Sequence, residues 1–290
     1  MLIPYSTSTN TMNLGRLLRA RHYTTGPSPP QLVSKVLFPA PHSGTITLLL
    51  LNRPESRNAI STALLTQLST SIATLPPDTR ALLLASAVPG IFCAGADLKE
   101  RRTFTKRQTT DFLAKLRATF TSIATLNVPT IAAVSSLALG GGTELALAAD
   151  FRVVGPTSRF VLPETHLGII PGAGGVWRLR DLVGRQRALE MVLSARGVGA
   201  QEAFDMGLAS RVVKTDGIGE GRGEVIVKAL EMALEVSAGA PISVQAAKSA
   251  IVEGGEAAEV KAYERVLETD DRNEGLRAFA EKRRPVFTGR

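Results

Sequence analysis

Two glutamates and two runs of small residues offer most of the chemistry available to this 290-residue chain. Glu144 sits one turn into a segment opened by Gly140-Gly141-Gly142, and Glu164 lies in the short string Leu162-Pro163-Glu164-Thr165. Two carboxyls facing one water titrate as a pair, so one can act as base and the other as acid. The second small-residue run is Phe92-Cys93-Ala94-Gly95-Ala96-Asp97-Leu98-Lys99, where the lack of bulk lets the backbone approach a ligand closely. The glycine triplet precedes a helix, and the first N–H groups of a helix lack internal partners and suit a developing oxyanion. One N–H from each loop could grip a single carbonyl oxygen. By spacing alone, each glutamate is more often a surface or capping residue than a catalytic one.

Other chemistries find little material. His22, His42 and His166 are the only histidines and Cys93 the only cysteine, so there is no internal disulfide and no zinc-ligand spacing. No nucleophile-elbow pattern accompanies His166, which reads as a structural hydrogen-bonder, and Cys93 reads as a small buried thiol. Gly172-Ala173-Gly174 lacks the preceding strand and third glycine of a dinucleotide loop. The net charge of +8 invites a nucleic-acid reading. However, the helix expected over 61–74 holds neither Lys nor Arg, and no lysine lies between Val36 and Leu98. Phosphate contacts need such charges, so RNA binding is not expected.

The elements that would position these residues alternate between strand and helix. Apolar runs at 45–51, 80–87 and 130–134 predict buried strands, and short strands follow at 151–154, 159–162 and 209–213. Helices are predicted over 61–74 with Ser61 as N-cap, 106–126, 140–149, 174–183, 184–194 and 200–206. The class is therefore α/β. Residues 1–26 carry Arg16, Arg19 and Arg21 among hydroxyl and apolar residues, and no acidic residue precedes Glu55. That is the composition of a mitochondrial transit peptide, and the proline-rich stretch 27–43 reads as a linker. Residues 44–223 form the expected core, and 224–290 read as a helical oligomerisation region with Tyr263, Val266 and Leu267 on one apolar stripe. No apolar stretch approaches the length of a membrane span.

The strings Leu51-Asn52-Arg53-Pro54-Glu55, Phe92 to Glu100, Gly140-Gly141-Gly142-Thr143-Glu144 and Ile169-Ile170-Pro171-Gly172-Ala173-Gly174-Gly175 resemble the enoyl-CoA hydratase/isomerase (crotonase) family, in order and spacing. The resemblance runs from about Val33 to Arg290. The stretches from Val88 to Arg101 and from Asp271 to Phe279 are most similar to its methylglutaconyl-CoA hydratase branch. It implies a crotonase (ClpP-like) fold of repeated ββα units forming a spiral core. It also implies syn addition of water across the 2,3-double bond of a short-chain acyl-CoA in the mitochondrial matrix. The acyl group would be 3-methylglutaconyl, from leucine degradation. The alternative is a general short-chain hydratase or isomerase of fatty-acid β-oxidation. The residues matching the oxyanion hole are Ala96 and Gly141, and those matching the acid-base pair are Glu144 and Glu164. Ala96, Asp97, Leu98, Lys99, Gly172 and Lys282 match acyl-CoA-binding positions. No metal or cofactor is implied, since coenzyme A is part of the substrate, and the expected assembly is a homotrimer or homohexamer. Two departures stand out. Ser135-Ser136 replaces the usual Asn-Gly or Asp-Gly, and Val176-Trp177-Arg178 replaces Thr-Gln-Arg, with Trp177 expected in the core.

Overall fold

The runs TITLLLL and TRALLLAS are apolar on both faces, the pattern of strands covered from both sides. In the computed structural model, which describes residues 30–214 and 221–290, they form β2 (Thr45–Leu51) and β3 (Thr79–Ser86), buried almost throughout. They lie within a six-stranded sheet ordered β1 (Val33–Pro39), β2, β3, β5 (Thr130–Val134), β7 (Phe151–Val154) and β10 (Arg211–Val212). Only β1 runs antiparallel to its neighbour. A second sheet of four short strands is ordered β4 (Ile91–Cys93), β6 (Leu137–Leu139), β8 (Arg159–Val161) and β9 (Val198–Gly199). In it β4, β6 and β8 are parallel, and β9 is antiparallel to β8.

The helices are α1 (Thr62–Ala73), α2 (Leu98–Arg101), α3 (Lys106–Ala124), α4 (Gly141–Leu147), α5 (Gly175–Val183), α6 (Arg185–Ser194) and α7 (Ala200–Asp205). Four more follow: α8 (Arg222–Ser237), α9 (Pro241–Glu253), α10 (Glu256–Glu264) and α11 (Asp270–Ala280). The repeated ββα pattern is plain in this order. β3, β5 and β7 each join the large sheet, and the strand that follows each (β4, β6, β8) joins the small one before the chain turns into helix. Because β4, β6 and β8 are parallel neighbours, the three loops leaving their C-terminal ends lie side by side.

Several expectations need correction. The stretch 27–43 is not simply a linker, because 33–39 forms β1, whose alternating burial marks a half-covered edge strand. Pro39 closes that strand, a position where a missing N–H is tolerated. The helical region expected from 224 begins at Arg222, and its first helix belongs to the core. Val225, Ile226, Ala229, Met232 and Ala233 of α8 are buried, and the helix packs on β3, β5 and β7. Trp177 is not a core residue: it is half exposed, with the Arg178 guanidinium 4.3 Å from its ring centre. β4, β6 and β9 are too short to show a period in sequence. The leader 1–26 lies outside the described residues.

Residues from Gln31 to Arg290 make one compact unit. Its main core is mostly aliphatic, joining Leu64 and Leu68 of α1 and Leu116 and Phe120 of α3 to Leu84 and Val134 of the large sheet and Ala138 and Phe160 of the small one. Among the described residues no helix is long and apolar enough to cross a membrane. The outer faces of α9, α10 and α11 leave Ile251, Val252, Val260, Tyr263, Leu276 and Phe279 exposed.

Candidate active site

The small sheet delivers three loops to one place. The loop after β4 carries Ala96. It is stitched to the residues ahead of α1 through Ile60, whose N–H donates to the Gly95 carbonyl at 2.7 Å and whose carbonyl accepts from the Asp97 N–H at 3.0 Å. These bonds use the groups on either side of Ala96 and turn its own N–H the other way. Asp97 holds the loop from below. It caps α2 through the N–H groups of Lys99 and Glu100, and it accepts from Arg53 Nη1 at 2.7 Å. Burial works against ionising Asp97, but the Arg53 hydrogen bond and charge outweigh it and hold the carboxyl below its usual range.

The loop after β6 enters α4. A Cβ added to Gly141 would lie 3.5 Å from the Ala96 nitrogen, so the backbones of the two loops are neighbours. Gly95 takes a φ of +82°, where a Cβ would also fall 2.6 Å from the Leu139 carbonyl oxygen. Only glycine relieves both demands. The Gly141 N–H belongs to the unpaired first turn of α4, and neither it nor the Ala96 N–H finds an acceptor among the described residues. Thr143 fastens α4 to the sheet, its hydroxyl lying 2.8 Å from the Ala138 carbonyl and 2.9 Å from that of Val161. At the other end of the helix, buried Arg152 reaches the carbonyls of Ala146, Ala149 and Leu208.

Glu144 is only 2% exposed, and its Oε1 accepts from the N–H groups of Ala173 at 2.7 Å and Gly175 at 2.8 Å. Burial raises its pKa, and those two bonds with the nearby Arg178 charge restrain the rise. Glu164 opens the 3-10 turn Glu164–Leu167 that follows β8 and is also buried. Its Oε2 has no hydrogen-bond partner among the described residues. Burial, helped by the negative charge of Glu144, pushes its pKa up to about 7, against the pull of its own backbone N–H. One carboxylate is therefore clamped by the backbone and favoured to ionise first, while its neighbour keeps a proton near neutrality. That asymmetry is what a base and an acid sharing one reaction require.

These groups open onto a cavity of about 610 Å³ lined by Ala96, Leu98, Gly141, Glu144, Glu164 and Gly172, together with Leu113, Leu116, Ile169 and Ile170. Six of the expected site residues thus meet there. Asp97 serves as the loop's anchor instead, and neither Lys99 nor Lys282 lines the cavity; both are exposed. Cys93 is a buried thiol, raised by burial to about 12 and donating to the Asn58 carbonyl at 3.1 Å. His166 is exposed and makes no side-chain hydrogen bond among the described residues. Arg117 lines the cavity and donates to the Gly172 carbonyl at 3.1 Å. It was missed because a lone arginine on an amphipathic helix carries no motif. The Glu144 clamp is half visible in the sequence: the string Ile169 to Gly175 stands out, but nothing in it points to the acceptor of its N–H groups.

The enoyl-CoA hydratase/isomerase family profile matches residues 42–290. The chain belongs to that family. An enoyl-CoA isomerase/hydratase of Zymoseptoria tritici is 51% identical over 265 residues, covering 87% of this chain and 87% of the relative. The mitochondrial methylglutaconyl-CoA hydratase 1 of Pyricularia oryzae is 43% identical over 315 residues, covering 93% of this chain and 90% of the relative. Among solved structures, an enoyl-CoA hydratase from Bacillus anthracis superposes with a TM-score of 0.82 at 39% identity, covering 90% of this chain and 100% of that one. The fold is accordingly that of the crotonases.

Proposed function

We propose that this chain is an enoyl-CoA hydratase acting on 3-methylglutaconyl-CoA, with Ala96 and Gly141 as oxyanion hole and Glu144 and Glu164 as base and acid. The observation that carries the reading is the convergence, at the ends of adjacent parallel strands, of two unused N–H donors and two buried carboxyls of unequal basicity. The thioester oxygen accepts from both N–H groups, which draws electron density from C3 and stabilises the enolate that follows. Glu144, fixed through Oε1, takes a proton from water with its other oxygen as the water attacks C3. Glu164 then gives its proton to C2. Water has been added, and the proton gained by Glu144 replaces the one lost by Glu164.

The acyl assignment is supported by the relatives named methylglutaconyl-CoA hydratases, including the Pyricularia oryzae protein. Leucine degradation in the mitochondrial matrix goes with it, supported by that relative's mitochondrial name and the acid-free basic leader. A trimer or hexamer would cover the apolar faces of α9 to α11. The deciding experiment compares the purified protein on 3-methylglutaconyl-CoA and crotonyl-CoA, following loss of the conjugated enoyl thioester. A higher kcat/KM for the methylglutaconyl substrate is expected. Double-bond migration in a 3-enoyl-CoA with no hydration of either substrate would make the protein an isomerase.

The scheme fixes a pH dependence. Hydration needs Glu164 protonated, so kcat/KM should fall above pH about 7, approaching roughly tenfold per unit. It should also fall on the acid side as Glu144 takes up a proton. A profile flat from neutrality to pH 9 would remove Glu164 as the acid.

A further inference from the structure

An aliphatic acyl chain asks nothing of a cation, yet the cavity holds two arginines. Arg101, at the end of α2, is half-buried and lines the cavity. Its guanidinium has no hydrogen bond or ion pair among the described residues. Other partly covered arginines do find acceptors: Arg53 pairs with Asp97 at 2.7 Å, Arg196 with Glu190 at 2.8 Å, Arg80 donates to the Ser43 carbonyl at 3.0 Å, and Arg222 to that of Ala87 at 2.6 Å. Arg117 of α3 spends one donor on the Gly172 carbonyl and has no carboxylate partner among the described residues. The cavity's own acids do not neutralise either arginine, since Glu144 is held by backbone N–H groups and Glu164 Oε2 is unpartnered. A half-buried guanidinium without an anion is costly, so Arg101, with the exposed Arg117 lining the same cavity, marks a place for an oxyanion.

We propose that Arg101, assisted by Arg117, receives a carboxylate at the far end of the acyl group, making the cavity selective for dicarboxylic acyl-CoAs. The inference rests on the hydratase reading for the direction in which the acyl group lies. With the thioester oxygen at Ala96 and Gly141, C3 faces Glu144. The turn that clamps Glu144 is the one whose Gly172 carbonyl Arg117 grips. A carboxylate two carbons beyond C3 falls on that side of the cavity. The phosphates of coenzyme A offer the same oxyanion chemistry, and the test must separate the two sources.

Two saturated, unreactive ligands of equal chain length do so: glutaryl-CoA, which carries the distal carboxylate, and pentanoyl-CoA, which ends in a methyl group. Their dissociation constants would be measured by calorimetry on the wild-type protein and on Arg101→Met, Arg101→Lys and Arg117→Met. Wild type is expected to prefer glutaryl-CoA. Arg101→Met should shrink that preference by about 100-fold, the scale of losing one partner of a desolvated charge pair. Arg117→Met should shrink it less, and Arg101→Lys should restore part of it. Equal weakening of both ligands would assign Arg101 to the coenzyme phosphates or to the fold and overturn the proposal. An unchanged preference in Arg101→Met would overturn it too. Neither ligand can be hydrated, so the outcome is independent of catalysis. Absence of hydratase activity with an intact glutaryl preference would sink the hydratase reading alone, whereas hydration with no glutaryl preference would sink this inference alone.

Discussion

Glu144→Gln and Glu164→Gln are each expected to lower turnover at least ~100-fold, the range for a lost general base or acid. The amide is close in shape to the carboxyl, and in Glu144→Gln its oxygen can still accept from Ala173 and Gly175, so the clamp persists. What disappears is basicity. The double variant should fall far short of the product of the two losses, because base and acid act as a unit on one reaction. Glu164→Gln has a second consequence. Its carboxyl titrates near 7 in the folded protein against an ordinary value of 4.5. Between those values the unfolded chain has lost the proton that the native protein still holds, so wild-type stability declines as pH rises and levels off above 7. The Gln variant lacks that decline. It should match wild type near pH 4 and be the more stable protein at pH 8, when thermal unfolding is compared at the two pH values. Loss of turnover with gain of stability is the mark of a buried acid kept for chemistry. Near wild-type turnover in either single variant would take that residue out of the mechanism.

Much of this site was legible before folding because its parts are local. Glu144 lies three residues beyond Gly141, the first residue of its helix, and Ser61 caps α1 by accepting from the Leu64 N–H, as its position predicts. Residues with no local signature were invisible. Arg117 reaches Gly172 across 55 residues, and the Arg53 bond to Asp97 spans 44. Such contacts are set by how the sheets stack rather than by any period in the chain. The short strands β4, β6 and β9 are also illegible, since alternation cannot be measured over so few positions, whereas β8 and β10 are legible only within the longer stretches 159–162 and 209–213. The proline signal at 39 and 41 was sound punctuation, but it masked the edge strand that Pro39 ends. Trp177 went wrong for a different reason. Size favours burial on average, but at this position the ring is half exposed and lies over the guanidinium of buried Arg178.

Gly142→Ala should be nearly as damaging to turnover as loss of a catalytic carboxyl, although Gly142 carries no side chain and donates nothing to substrate in the scheme above. A Cβ there would stand 2.2 Å from the Cys93 carbonyl oxygen and 2.8 Å from its carbonyl carbon. The obstacle is the backbone of β4, which cannot swing aside as a flexible side chain would. Either α4 lifts away from the small sheet, or β4 moves and carries the Ala96 loop with it. Both routes separate the Ala96 and Gly141 N–H groups, whose common target is a single oxygen. Losing one oxyanion donor costs on the order of 100-fold or more in turnover, and overpacking of this kind costs about 3 kcal/mol of stability. The variant should therefore melt roughly 10 °C lower and, at temperatures where it remains folded, hydrate at least ~100 times more slowly. The infrared carbonyl stretch of a bound acyl-CoA separates this from a general loosening. In wild type the two donors should pull it to lower frequency, in Gly142→Ala much of that shift should vanish, and in Glu164→Gln it should survive. Retention of the full shift in Gly142→Ala would show that the two N–H groups do not depend on this contact, and the glycine would then be required for packing alone.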